Sequence, residues 1–158
     1  MKAVHLHRRQ GDFRFEATDL APEPLQPGEV RIRVRAVALN ARDLAVARAA
    51  GDGTPIVPCS DGAGEVLEVG AGVDAWRPGD RVFANFFPDW VDGLPTEAST
   101  RAALGGGQHA GMLAEQVVLP AHALVRVPDG VSDEEAATMP CAGVTAWHAL
   151  FGTPRLRP

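Results

Sequence analysis

Apolar and polar residues alternate at every second position along much of this chain, the period of a β-strand with one buried face. The clearest run spans 29–37: Val30, Ile32, Val34 and Ala36 form one row and Arg31, Arg33 and Arg35 the other. A half-exposed antiparallel strand alternates in this way, so the arginine row reads as a solvated exterior and not as a phosphate-binding surface. Two shorter alternating runs, 2–6 and 13–17, flank Gln10-Gly11-Asp12, a hairpin signal. In 64–69, Val66 and Leu67 point to opposite faces; Gly70, Gly72 and Asp74 then supply a sharp reversal. Arg77-Pro78-Gly79-Asp80 forms a second turn, leading into the strand that begins Arg81-Val82-Phe83. Runs at 112–120 and 124–128 add two more strands.

Helical signals are few. Asn40 is placed to cap a helix through Ala50, with Gly51 as the residue after its end. A short helix is expected over 96–104. Ser132 and Glu135 make a capping box for a helix over 133–139. Pro140 suits the first turn of a last helix reaching Phe151 and Gly152. Short strands punctuated by turns predict a mostly β fold, a small closed barrel with a few short helices and a helical C-terminal segment.

Composition narrows the class. At 158 residues the chain is one domain by length, and 46% hydrophobic with 22% charged residues is ordinary for a soluble globular protein. The 17 glycines and 13 prolines are spread as turn punctuation. A net charge of −5 without a basic stripe argues against nucleic acid as a partner. No apolar run has the length of a membrane span, and the first residues lack a signal peptide's apolar core. Cys59 and Cys141 are the two cysteines, read as free thiols in a reducing compartment. A cytoplasmic protein without a membrane partner is expected. His5 and His7 share a strand face, but no third ligand is spaced to join them in a metal site.

The spaced motifs D-G-A-G-E-V at 61–66, V-G-A-G-V at 69–73 and P-G-D-R-V at 78–82 fall in one order. With Met1-Lys2-Ala3-Val4 at one end and Cys141-Ala142-Gly143-Val144-Thr145-Ala146-Trp147 at the other, the chain resembles the medium-chain dehydrogenase/reductase superfamily in its GroES-like catalytic domain. The resemblance covers nearly all of 1–158. It implies an oxidoreductase that moves a hydride between NADPH or NADH and a carbonyl, quinone or enone. Zinc-dependent members carry a cysteine where this chain has Asn40, and a His-Glu pair where it has Ser60-Asp61; Cys141 alone keeps a ligand type. One thiolate with an amide and a hydroxyl is a poor zinc site. Cys141, Asp61 and Asp43 are not a normal zinc set either, and 83–117 holds no cysteine for a structural zinc lobe. The resemblance is therefore to the zinc-independent branch, similar to quinone oxidoreductases.

In that reading Asn40 and Asp43 line the cleft floor, and Asn40 offers a hydrogen bond to the substrate oxygen. Asp61 is either a second cleft acid or a structural hydrogen-bond acceptor. Thr145 occupies the position that faces the nicotinamide in the family. Phe87 and Trp90, on the irregular stretch 85–111, either wall an apolar substrate pocket or pack as a satellite cluster under their own loop. The glycines at 105–107 read as a hinge, and His109 as a surface histidine. Trp147 and His148 read as packing and surface positions. No proton donor stands out, since the chain has no tyrosine.

None of the glycine runs follows a strand and opens a helix, so none is a dinucleotide fingerprint. The expectation is a catalytic domain that works with a Rossmann nucleotide-binding domain and is inert without it. That pairing, a small-molecule substrate and a homo-oligomer are the partners this reading allows. A different class remains open: a stand-alone GroES-like binding module, or a subunit pairing with a separate nucleotide-binding chain, with a co-chaperonin-like ring subunit as a third reading. The helix over 140–152 discriminates, because a face that docks a missing domain stays apolar and bare.

Overall fold

The computed structural model describes residues 1–10, 12–51 and 55–152. Among the described residues seven strands appear in chain order: β1 (Lys2–Arg9), β2 (Asp12–Asp19), β3 (Glu29–Ala38), β4 (Asp61–Val69), β5 (Arg81–Ala84), β6 (Gln116–Pro120) and β7 (Leu124–Arg126). Four helices interleave them: α1 (Ala41–Ala49), α2 (Glu97–Thr100), α3 (Asp133–Ala137) and α4 (Val144–Phe151). The architecture is mostly β, as the period-2 runs predict.

β3 and β4 form the centre of an antiparallel sheet in the order β6-β3-β4-β5-β7. The even positions of β3 do face the core: Val30 and Ile32 are buried with Val66, Val82, Leu104 and Met112 in one cluster. Each of these side chains contributes roughly 1.5–3 kcal/mol by leaving water. The odd positions carry the arginines outward, where Arg31 meets Glu68 at 3.2 Å and Arg35 meets Glu65 at 2.6 Å across the β3–β4 ladder. β1 and β2 make a separate ribbon; Gly11, in its turn, lies outside the described residues. Bridges Ala3–Ala114 and Leu6–Ile56 tie this ribbon to the main sheet.

Several boundaries differ from the sequence reading, for local reasons. The run 112–120 is a strand only from Gln116; before it the chain turns to β1, with Val4 N donating to the Leu113 carbonyl at 2.9 Å, while the Glu115 carbonyl still accepts from Val34 N of β3 at 3.0 Å. The helix expected over 96–104 stops after Thr100, where the chain turns to bond the Phe86 carbonyl through Leu104 N. α1 ends at Ala50 in extended backbone, so Gly51 supplies no left-handed cap. The last helix is two pieces: a π-helical turn over Met139–Gly143, then α4.

The glycines at 105–107 are not a free hinge either. Gly105, at φ 67°, is buried against the backbone of Cys59, and a Cβ there would stand 2.8 Å from it. Gly111 closes the same segment from its other side, where a Cβ would collide with the Pro58 and Cys59 carbonyl oxygens. Between these glycines Cys59 itself adopts φ 70°, the left-handed region that non-glycine residues rarely enter. Hydrogen bonds from Gly111 N to Val57 O and from Met112 N to Cys59 O, both 2.8 Å, hold it there.

Gly111→Ala is therefore expected to destabilise the chain by about 3 kcal/mol, since backbone has to move to admit one methyl. Gly51→Ala, with nothing within 4 Å of the added Cβ, should change stability by less than about 0.5 kcal/mol. Urea denaturation of the two variants checks both.

Candidate functional site

Three segments converge where the clamped turn at Cys59 delivers the chain into β4. Asp61, the first residue of β4, is completely buried, as is Ser60. Both carboxyl oxygens of Asp61 are engaged: Ser60 Oγ donates to Oδ1 at 2.6 Å, and the backbone N–H of Cys141 donates to Oδ2 at 3.0 Å. The second bond spans 80 residues and fixes the π-helical turn against the start of β4. In this geometry Asp61 is a hydrogen-bond acceptor between β4 and the π-helical turn.

Asn40 lies at the N-terminus of α1, immediately beyond β3. Its backbone N–H donates to Asp43 Oδ2 at 2.7 Å, and Asp43 N bonds back to the Asn40 carbonyl at 3.0 Å. Asp43 is thereby committed to closing the first helical turn. The Asn40 amide nitrogen is not committed: Nδ2 is buried with no hydrogen-bond partner among the described residues. A buried amide donor left unmatched costs on the order of 1–3 kcal/mol, and that cost is recovered when an acceptor reaches it.

Both thiols feel this cluster. Burial pushes the Cys59 thiol up to about 12, reinforced by the charges of Asp43 and Asp61 and opposed by Arg42. Cys141 is also raised, by burial first and then by Asp61, again against Arg42. Both sulfurs are therefore protonated at neutral pH. Arg42, which the sequence reading passed over, links α1 to the aromatic loop. Its Nη1 donates to the Leu104 carbonyl at 2.9 Å, and its guanidinium lies 4.8 Å from the centre of the Phe86 ring. Nothing in the period of the sequence marks this role; adjacency to Asp43 was the one available signal.

Phe87 and Trp90 are half-buried neighbours at 6.2 Å between ring centres, and Phe87 meets Phe86 edge-on at 4.6 Å. Asn85 Nδ2 stitches their loop by donating to the Phe87 and Trp90 carbonyls, each at 3.2 Å. His109 reaches Asp89 at 3.4 Å. Thr145 is exposed on α4, a helix without a single buried residue. Val144, Trp147, Leu150 and Phe151 stand bare on it; Trp147, at 67% exposure, meets the Phe151 ring at 4.6 Å and is not buried in the core of the described residues. A hollow of about 350 Å³ is lined by Leu20, Arg31, His109, Gln116 and others, and by none of the candidate residues. Hollow volume alone does not find the site here; converging polar groups do.

Residues 26–129 match the family model of the alcohol dehydrogenase GroES-like domain. The chain belongs to this family. It is 47% identical over 135 residues to a zinc-type alcohol dehydrogenase-like protein of Schizosaccharomyces pombe, covering 84% of this chain and 39% of that protein. A Sinorhizobium meliloti 1021 protein named as an alcohol dehydrogenase superposes with a TM-score of 0.84 at 35% identity, over 94% of this chain and 45% of its own. A quinone oxidoreductase of Pseudomonas syringae pv. tomato DC3000 superposes at 0.74 and 27% identity, over 100% of this chain and 43% of its own. The GroES-like chain thus spans less than half the length of these relatives.

Zinc, which the family includes, does not fit the residues present. The cleft positions offer an amide (Asn40), a hydroxyl already given to Asp61 (Ser60) and a single thiol (Cys141). Among the described residues no three of His, Cys, Asp or Glu come together as a metal set. A tetrahedral zinc site needs three such ligands.

Two measurements follow. Asp61→Ala leaves a buried hydroxyl and a buried N–H unmatched and should cost about 2–4 kcal/mol in urea denaturation. The Cys59 thiol ionises near 9.0 when unfolded and about 12 when folded, so its contribution is fully present below about pH 9 and lost as pH rises towards 12. Stability should fall by up to about 1.4 kcal/mol per pH unit in that window. Cys59→Ala should flatten most of the slope, leaving the share due to Cys141.

Proposed function

We propose that residues 1–158 form the substrate-side catalytic domain of an NAD(P)H-dependent, zinc-independent oxidoreductase acting on a carbonyl, quinone or enone. The observation that carries this reading is the buried, unmatched Nδ2 of Asn40 in a family whose zinc members keep a metal ligand at that position. A carbonyl oxygen gains negative charge as hydride arrives, and a fixed N–H donor stabilises that charge more in the transition state than in the ground state. Asn40 would thus do with one hydrogen bond what zinc does as a Lewis acid.

The other residues divide the work. Asp43 orients Asn40 through its bond to the Asn40 backbone. Asp61 is a positioning residue, since both of its oxygens are occupied away from any substrate. Phe87 and Trp90 supply an apolar wall and exclude water. Thr145 on the exposed face of α4 seats the nicotinamide, which when bound supplies or receives the hydride. The apolar row Val144, Trp147, Leu150 and Phe151 supports docking of a nucleotide-binding domain and tells against a self-sufficient binding module, whose helix would be covered. Reduction of quinones and enones is the finer part of the proposal, drawn from the likeness to a quinone oxidoreductase.

The test is steady-state NADPH oxidation with quinone, enone and aldehyde substrates by the protein in which this domain is joined to a nucleotide-binding domain. Asn40→Ala should lower kcat by about 10²–10³ with little change in KM for NADPH. Incubation with a zinc chelator should leave the wild-type rate unchanged. A chelator-sensitive rate, or an Asn40→Ala variant at full activity, would overturn the proposal.

A further inference from the structure

Among the described residues no strand pairs with the outer edge of the β1–β2 ribbon, which is β2. β2 pairs with β1 in an unbroken register of eight pairs, from Lys2–Asp19 to Arg9–Asp12. It has no proline, lysine or bulge to keep it from pairing, and of the charges it carries Arg14 and Glu16 are of opposite sign, so they complement an antiparallel copy. Seven of its eight residues are exposed, among them Phe13 and Phe15, whose rings meet edge-on at 5.9 Å.

The hydrogen-bond pattern shows which backbone groups face outward. Met1 and Leu20 exchange both of their bonds, at 2.8 and 3.0 Å. Bonded and non-bonded pairs alternate along an antiparallel ladder. Counting from that pair, Arg14, Glu16 and Thr18 bond to β1, whereas Phe13, Phe15 and Ala17 turn their N–H and C=O groups to the free edge. β1 gives an independent check. Leu6 and Val4, opposite Phe15 and Ala17, send their N–H groups away from β2, to the Ile56 and Leu113 carbonyls at 2.8 and 2.9 Å.

We propose that β2 is a self-pairing edge, on which a second copy of this chain adds its own β2 antiparallel with Phe15 at the two-fold axis. In this register Phe15 exchanges both backbone bonds with Phe15 of the second copy, and Phe13 does so with Ala17, so every outward-facing group from 13 to 17 is matched. Arg14 then stands opposite the second copy's Glu16, and Glu16 opposite its Arg14. Both charge pairs occupy non-bonded positions, where facing Cα atoms are about 4.5 Å apart and side chains come closest. Glu16 is free to turn to that partner: its side chain is 72% exposed and has only a 3.6 Å approach to His7. The four phenylalanines of the two copies gather on the opposite face. Moving the axis to Ala17 sets Phe15 against Asp19 and Glu16 against Thr18, and loses both the charge pairs and the aromatic contact.

Sedimentation velocity of the chain over a concentration series into the high micromolar range tests this, with charge reversal to locate the contact. The expected result is a reversible dimer that Arg14→Glu or Glu16→Arg weakens about tenfold or more, because each change sets two like-charge pairs face to face. The double variant R14E/E16R restores the pairs and should return the dimer to near its original affinity. A chain that stays monomeric overturns the proposal. So does a dimer indifferent to the single reversals, which would point instead to the apolar face of α4, and so does a double variant no better than the singles. Hydrogen exchange on the unmodified chain gives a second reading: the amides of Phe13, Phe15 and Ala17 should exchange more slowly at dimer than at monomer concentration, and equal rates would contradict the pairing.

Discussion

The carboxyl group of Asp61 is the joint on which the cleft depends. It has no access to solvent and accepts two hydrogen bonds, one from the neighbouring Ser60 and one from the Cys141 backbone, which joins elements 80 residues apart. Burying a carboxyl group is unfavourable unless its oxygens are matched. Here the matching groups are a hydroxyl and an N–H that would themselves be orphaned without it, so each side of the arrangement requires the other. The π-helical turn that follows sets the direction of α4, and with it the exposed row that includes Thr145 and Trp147.

What brings Asp61 to that place is a backbone constraint. Cys59 sits in the left-handed region at φ 70°, an arrangement that persists only when its surroundings over-determine it. Gly105 and Gly111 permit the close approach from two sides, and the 57–59 carbonyls are taken by Gly111, Met112 and Leu113. The irregular stretch between β5 and β6 therefore works as a clamp on the entry to β4, and also carries the aromatic residues over to Arg42. Loop and sheet are one device in this respect: the glycines that look permissive in the sequence are fixed by contact.

Much of this was legible before the structure. The period-2 rows of β3, the turn chemistry around 70–80 and the capping residues Asn40 and Ser132 each act locally, and the strands and helices they predict are present. The motifs at 61–82 carried the family assignment, which the match over 26–129 bears out. Legibility failed where long-range contacts decide. The end of the expected strand at 112–115 is diverted by β1, and the expected helix after Thr100 is cut short by a bond to Phe86. Of the candidate residues, Asp43 and Asp61 both act on the two thiols, and Asn40 is tied to Asp43 by its backbone. The role of Arg42 and the strain at Cys59 could not be seen, because neither leaves a periodic trace. Trp147 was misjudged for a related reason: an aromatic residue in an apolar helix looks like core unless it is known what the helix packs against.

The proposed division of labour places the substrate chemistry in this chain and the hold on the cofactor with a nucleotide-binding domain. A calorimetric titration of NADPH, and then NADH, into the 158-residue chain tests this most directly. The account predicts no saturable binding up to millimolar cofactor, because Thr145 and its neighbours on α4 offer only one exposed wall of a site. Saturable binding in the micromolar range would contradict it, since the fold would then hold a complete cofactor site of its own.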